Sequence, residues 1–326
     1  MNKMFRKPHI RIALTSDCNF RCIYCRDGGE GVKVDNELDY EQIIKIIEIA
    51  NKVGFSHIKF TGGEPLLREK KKGDLFKIIK YVKDNLKFDD IQMVTNGFFL
   101  QDYEDELLSS GLNSLTVSLD TTDTNEFMEI TGINCFERVI EGIKSIQRKG
   151  LPVIINCVYF SGNKEHALKL IDLACEMQVS IKLLDCVDFD EKGKYAPLYE
   201  LYDILGQKFG DSCYVLPPGG LGTPMRKYTF KNSNILLKDA FVGTNYNRNV
   251  CNECKYYPCQ DAMISLRVTA DGKLKRCLIR DDNLVDLKLD LENMDYEAVE
   301  KKIQESYDLL INAEYKENFW KPYENY

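Results

Sequence analysis

Histidine and tryptophan are scarce in this chain: three and one among 326 residues. His9, His57 and His166 stand at no metal-ligand spacing, so each reads as an ordinary core or surface residue. Positive charge is also short, with 44 Lys and Arg against 51 Asp and Glu, a net charge of −7. That balance argues against broad contact with a nucleic-acid backbone, while leaving room for a local basic pocket. No apolar run approaches the length of a membrane span. The basic start, Met1–Lys7, leads into Ile10–Thr15, an apolar stretch broken by Arg11 and too short for a secretion signal. These absences predict a cytoplasmic protein with neither a membrane nor a nucleic-acid polymer among its partners.

Cysteine is what the chain has in plenty. Its twelve thiols gather mainly in two places, which reads as metal binding in a reducing compartment and not as a disulfide framework. The first group, Cys18, Cys22 and Cys25, lies within Leu14–Cys25, with Tyr24 just before the last thiol. Three thiols are one ligand short of a closed structural zinc site. They suit a four-iron four-sulfur cluster with one iron left open, because soft sulfur ligands select such clusters. Three buried structural cysteines are the plainer alternative.

This Cys-x3-Cys-x2-Cys run with Tyr24 in place resembles the signature of the radical S-adenosylmethionine (SAM) superfamily. The resemblance implies that the three thiolates hold a [4Fe-4S] cluster whose open iron chelates SAM. Reductive cleavage then yields a 5′-deoxyadenosyl radical that takes hydrogen from a substrate. It also implies a reductant such as flavodoxin or ferredoxin.

Between Ile10 and about Ser180, β-rich runs alternate with helical patterns. The strand candidates are Ile10–Thr15, His57–Thr61, Ile91–Thr95, Ser114–Leu119, Val153–Tyr159 and Ile181–Cys186. They predict an α/β fold, a partial (β/α)6 TIM-like barrel over residues 1–190. Residues 191–326 form a smaller C-terminal region, with a helix at Leu198–Phe209 and another at Tyr296–Ile311. Chemistry in such barrels sits at the C-terminal ends of the strands, and the cysteine loop follows the first of them. After the second comes Gly62-Gly63-Glu64-Pro65, where the superfamily binds the SAM amine; a tight βα turn is the structural alternative. Thr95 and Asn96, Ser118 and Asn156 end later strands and look like further SAM contacts of that superfamily, though each is also ordinary turn chemistry. The loop Pro217–Pro224 reads as a connector, with Arg226 and Lys227 after it as anion-binding candidates.

The second group is Cys251, Cys254, Cys259 and Cys277. Alternating runs around Asp271-Gly272 predict a β-hairpin that returns Cys277 toward the others. Four thiols so placed fit a zinc ribbon or a second [4Fe-4S] cluster; beside the first motif the cluster is favoured. Arg267–Cys277 resembles the C-terminal cluster region of the GTP 3′,8-cyclase (MoaA) family of molybdenum-cofactor biosynthesis. Arg11, Gly62–Arg68 and Val117–Asp120 extend the similarity. It implies an auxiliary cluster and a purine nucleotide held through Arg11 and Arg267. Three departures stand against it. Ser265 occupies a position where the family has arginine, Cys259 has no counterpart, and the chain ends Trp320–Tyr326 in place of a Gly-Gly tail. A paralogue acting on a ribosomally made peptide or another small molecule fits these departures. A non-enzymatic iron–sulfur redox or binding protein is the distant alternative. Cys135, Cys157, Cys175, Cys186 and Cys213 remain, and read as structural thiols.

Overall fold

The computed structural model describes residues 7–25, 32–186, 193–217, 223–239, 242–257, 259 and 263–317. Period-two alternation builds its main sheet. In β1 (His9–Ala13), Ile10 and Ile12 enter the apolar core while His9 and Arg11 line a cavity on the opposite face. The same division recurs in β2 (His57–Thr61), β3 (Asp90–Thr95), β4 (Ser114–Ser118), β5 (Val153–Tyr159) and β6 (Ser180–Asp185). Every strand read from the sequence forms, its ends within two residues of those expected.

These six strands run parallel in chain order, joined by helices. Helix Tyr40–Val53 starts at a capping box in which Asp39 accepts from the Gln42 amide and the Gln42 side chain accepts from the Asp39 amide. Its buried stripe is Ile43, Ile44, Ile46, Ile47 and Ile49. Helix Phe136–Arg148 buries Val139, Ile140, Ile143 and Ile146 at the same spacing.

The C-terminal half adds β7 (Cys213–Val215), β8 (Met225–Phe230), β9 (Ser233–Lys238), β10 (Gly243–Tyr246), β11 (Ser265–Val268), β12 (Lys273–Lys275), β13 (Val285–Asp286) and β14 (Glu314–Glu317). The sheet order is β13-β12-β11-β1-β2-β3-β4-β5-β6-β9-β8-β7, with β10 and β14 paired separately. Two of the added strands are parallel to the barrel: β11 beside β1, with Arg11 opposite Arg267, and β9 beside β6, with Leu184 opposite Lys238. The parallel array is therefore wider than the six strands expected. An open barrel has two edges of unpaired backbone groups, and the later strands satisfy both.

The hairpin expected around Asp271-Gly272 forms between β11 and β12, with Gly272 at φ 85. Helix Leu198–Phe209 forms as a 3-10 turn, Leu198–Leu201, running into an α-helix, Tyr202–Phe209. Helix Tyr296–Ile311 packs on Tyr40–Val53, where the Tyr307 ring meets Phe55 edge-on at 5.1 Å and Lys52 pairs with Glu300 at 2.6 Å. Most of the Pro217–Pro224 loop and the aromatic tail lie outside the described residues. Among those residues no helix is long and apolar enough to cross a membrane.

Candidate active site

The cysteine loop leaves the C-terminal end of β1 and is held from several sides. Arg68, fully buried, donates to the Leu14 and Leu38 carbonyls at 2.6 and 3.1 Å and forks onto Asp74. The Gly63 amide donates to the Thr15 carbonyl (2.7 Å) and the Glu64 amide to that of Asp17 (2.8 Å). Farther along, the Arg21 and Ile23 amides donate to the Thr131 and Ile130 carbonyls at 2.8 and 3.0 Å. Tyr24 donates from its hydroxyl to Asp120 at 2.5 Å. Cys18 and Cys25 are exposed and Cys22 is half-buried. The Cys18 sulfur accepts from the Phe20 amide (3.4 Å) and the Asn96 side chain (3.7 Å). Burial pushes the half-buried Cys22 thiol up, and Cys25 and Cys18 each add to the shift.

The expected SAM-contacting residues ring this loop. Glu64 is fully buried: it accepts from the Leu66 amide (3.0 Å), the Thr95 hydroxyl (2.8 Å) and the Asn96 amide (2.7 Å). Burial pushes its carboxyl up to about 7 against those three donors. The Glu64 carboxylate thus ties the ends of β2 and β3 together. Ser118 ends β4 and is the register neighbour of Asn156 in the middle of β5, and the Asn156 side-chain oxygen is buried without a hydrogen-bond donor.

Below them lies a barrel cavity of about 330 Å³. His9, Arg11, Lys59, Asn156, Lys182 and Lys238 line it, and no carboxylate does so among the described residues. Burial lowers the Lys59 amine, helped by Lys182 and Arg11; burial and Arg11 bring Lys182 down to about 8. Arg267 is fully buried beside Arg11 in the register and donates to the Ser265 carbonyl at 3.2 Å. Sequence reasoning singled out the two arginines but missed the three lysines. For Lys59 and Lys182 a signal was available: each stands between two apolar residues of a strand, at an inward position. Lys238 lies on β9, a strand not read from the sequence.

The late thiols approach one another around the hairpin. Cys251 lies within electrostatic reach of Cys254 and Cys277, and Tyr257 within reach of Cys251 and Cys259. The Arg280 amide donates to the Cys277 sulfur at 3.3 Å, and its guanidinium bonds the Val250 carbonyl at 2.8 Å.

The radical SAM superfamily model matches residues 12–174, from the first strand through helix Lys164–Glu176. The chain belongs to the radical SAM superfamily. It is 34% identical over 304 residues to a probable GTP 3′,8-cyclase of Saccharolobus solfataricus, covering 88% of this chain and 87% of that protein. A probable GTP 3′,8-cyclase of Methanococcus aeolicus is 32% identical over 292 residues, covering 87% and 89%. Identity at that level over most of both chains also places it in their family. In fold it is similar to Streptococcus suis SuiB bound to S-adenosylmethionine, with a TM-score of 0.61 and 17% identity over 87% of this chain. It spans 62% of that longer protein. A second radical SAM structure, anSMEcpe with bound AdoMet, gives 0.63 and 17% over 93% of this chain and 82% of the other.

The protein is thus an enzyme of the radical SAM type, and the superfamily carries a [4Fe-4S] cluster and SAM. The first cysteine loop suits the cluster chemically: it offers three soft thiol donors, with Cys18 and Cys25 within electrostatic reach of Cys22, on a loop already fixed by its neighbours. Among the described residues no three Cys, His, Asp or Glu side chains are gathered closely enough to hold a metal ion as they stand, at either cysteine group.

Proposed function

We propose that this radical SAM enzyme acts on an anionic purine nucleotide of the GTP class seated in the barrel cavity. The observation that carries this reading is the gathering of Arg11, Lys59, Lys182 and Lys238 around one lumen. Cationic side chains on rigid strands suit a polyphosphate through charge-assisted hydrogen bonds. The names of the curated relatives point to the same substrate.

In this reading Cys18, Cys22 and Cys25 hold the cluster. Tyr24, Gly62, Gly63, Glu64, Thr95, Asn96, Ser118 and Asn156 shape the SAM site around it. A cluster held by those three thiolates would supply one-electron reduction of SAM bound beside it. The chain's own part is positional: Glu64 braces the strand ends, Asn156 offers a buried acceptor, and the luminal cations hold the anion below. Cys251, Cys254, Cys259 and Cys277 hold a second [4Fe-4S] cluster. A flavodoxin or ferredoxin delivers the electron, and a chain of twelve cysteines with no disulfide spacing suits the reducing cytoplasm.

Two experiments test the reading. Anaerobically reconstituted enzyme with reductant and SAM should form 5′-deoxyadenosine, and more of it with GTP. GTP should also raise the thermal midpoint; no shift at millimolar GTP would remove the nucleotide. One observation favours a second reading, in which a peptide is the substrate: with four late thiols able to ligate, no iron of the second cluster stays open for a nucleotide.

A further inference from the structure

Among the polar groups around the cysteine loop, Asp120 is the one whose position the proposed chemistry leaves unexplained. It follows β4, two residues past Ser118, and is 4% exposed. Its two carboxylate oxygens are divided between separate pieces of the fold. Oδ2 accepts from the Tyr24 hydroxyl at 2.5 Å and Oδ1 from the Val158 backbone amide at 2.7 Å. Tyr24 immediately precedes Cys25, and Val158 sits near the end of β5. The carboxylate therefore clasps the far end of the cysteine loop to the β4–β5 edge, opposite the Gly63 and Glu64 bonds that hold its beginning.

A direct contact between Asp120 and a bound ribose fits poorly. Both oxygens are engaged, and the cavity beside them, bordered by Cys22, Tyr24 and Asn96, measures only about 20 Å³. That is room for about one water molecule. Asp120 is also a buried negative charge bordering the same small cavity as Cys22, so its field acts on the thiols. The same field disfavours adding an electron to iron held there.

We infer that Asp120 is a positioning residue: through Tyr24 it locks the cysteine loop in its cluster-holding shape, and its charge keeps the cluster's reduction potential low. This rests on the reading that Cys18, Cys22 and Cys25 hold the cluster. A Cys22→Ser control tests that reading separately, because reconstituted enzyme must then lose cluster iron.

Two variants separate the bond from the charge. Tyr24→Phe removes the clasp and keeps the carboxylate; Asp120→Asn removes the charge and keeps a hydrogen-bonding group. Each is reconstituted in the full chain, titrated electrochemically with electron paramagnetic resonance detection, and challenged with an iron chelator. Tyr24→Phe should release iron several-fold faster than the parent with its midpoint potential little changed. Asp120→Asn should shift the midpoint to a less negative value. Parent-like iron release in Tyr24→Phe together with a parent-like potential in Asp120→Asn would overturn the inference. So would a more negative potential in Asp120→Asn. If Asp120→Asn fails to fold, Asp120→Glu, which retains the charge, should restore folding with a parent-like potential; a shifted potential there would also overturn it.

Discussion

A Cβ on Gly63 would lie 2.0 Å from the Asp17 carbonyl oxygen, far inside van der Waals contact. Gly62 is as confined, 2.3 Å from the Thr15 carbonyl oxygen, and adopts φ +139. The paired glycines thus let the β2 turn touch the backbone of the cysteine loop. Gly63→Ala should push the loop away, at a cost of at least the about 1–3 kcal/mol typical of overpacking. The expected result is loss of most iron from the first cluster and a lower thermal midpoint, read by iron analysis and calorimetry.

Glu64 gives a graded test of the same junction. Glu64→Ala leaves the Leu66 amide, Thr95 hydroxyl and Asn96 amide without their shared acceptor. An unsatisfied buried donor costs about 1–3 kcal/mol, so the loss should reach several kcal/mol. Thr95→Val removes one of the carboxylate's three donors and leaves only the Gly97 amide without an acceptor; it should cost about 1–3 kcal/mol, less than Glu64→Ala. Chemical denaturation of both variants checks the ranking, and equal losses would contradict it.

Much of this junction was legible in the sequence, and the reason is local. Short β-rich runs between helical patterns placed the first six strands, and the cysteine spacing marked the loop after β1. What escaped was non-local. Ser265–Val268 was read as half of a hairpin, and nothing within it shows that it also lies against β1 some 250 residues earlier in the chain. Lys238 was hidden for the same reason, since its strand joins the barrel only through β6. Glu64 was read by its motif as an amine ligand, whereas its bracing of β3 depends on where Thr95 and Asn96 arrive in space.

The luminal lysines make stability depend on pH. Burial lowers the Lys182 amine from 10.5 to about 8. Between those values the unfolded chain binds more protons than the folded one, so the ligand-free fold gains stability as pH rises from about 8 toward 10.5. The penalty at neutral pH is at most about 3 kcal/mol, and less where water in the cavity screens the charge. Lys182→Met should therefore raise the thermal midpoint of ligand-free protein near pH 7 and flatten its rise above pH 8. The same variant should weaken binding of GTP about tenfold or more, since a charge-assisted hydrogen bond contributes about 1.5–3 kcal/mol. A variant that is more stable yet binds as well as the parent would remove Lys182 from the anion site.

The late cysteines can be counted by metal content. Two [4Fe-4S] clusters correspond to about eight irons per chain. Cys277→Ala removes a thiol that accepts from the Arg280 amide, so it should bring the reconstituted protein to about four irons and leave the first cluster's spectrum intact. Cys259→Ala is the more informative change. Cys259 is half-buried, and the Thr244 hydroxyl donates to its backbone carbonyl at 3.0 Å, an anchor independent of the thiol. Its loss should therefore leave the local fold in place and bear on ligation alone. If Cys259 is the fourth ligand, the variant keeps about eight irons but exposes one to exchange, and added GTP should perturb the second cluster's spectrum in the variant and not in the parent. If instead GTP perturbs that spectrum in the parent, the second cluster already has an open iron, and Cys259 is a structural thiol beside it.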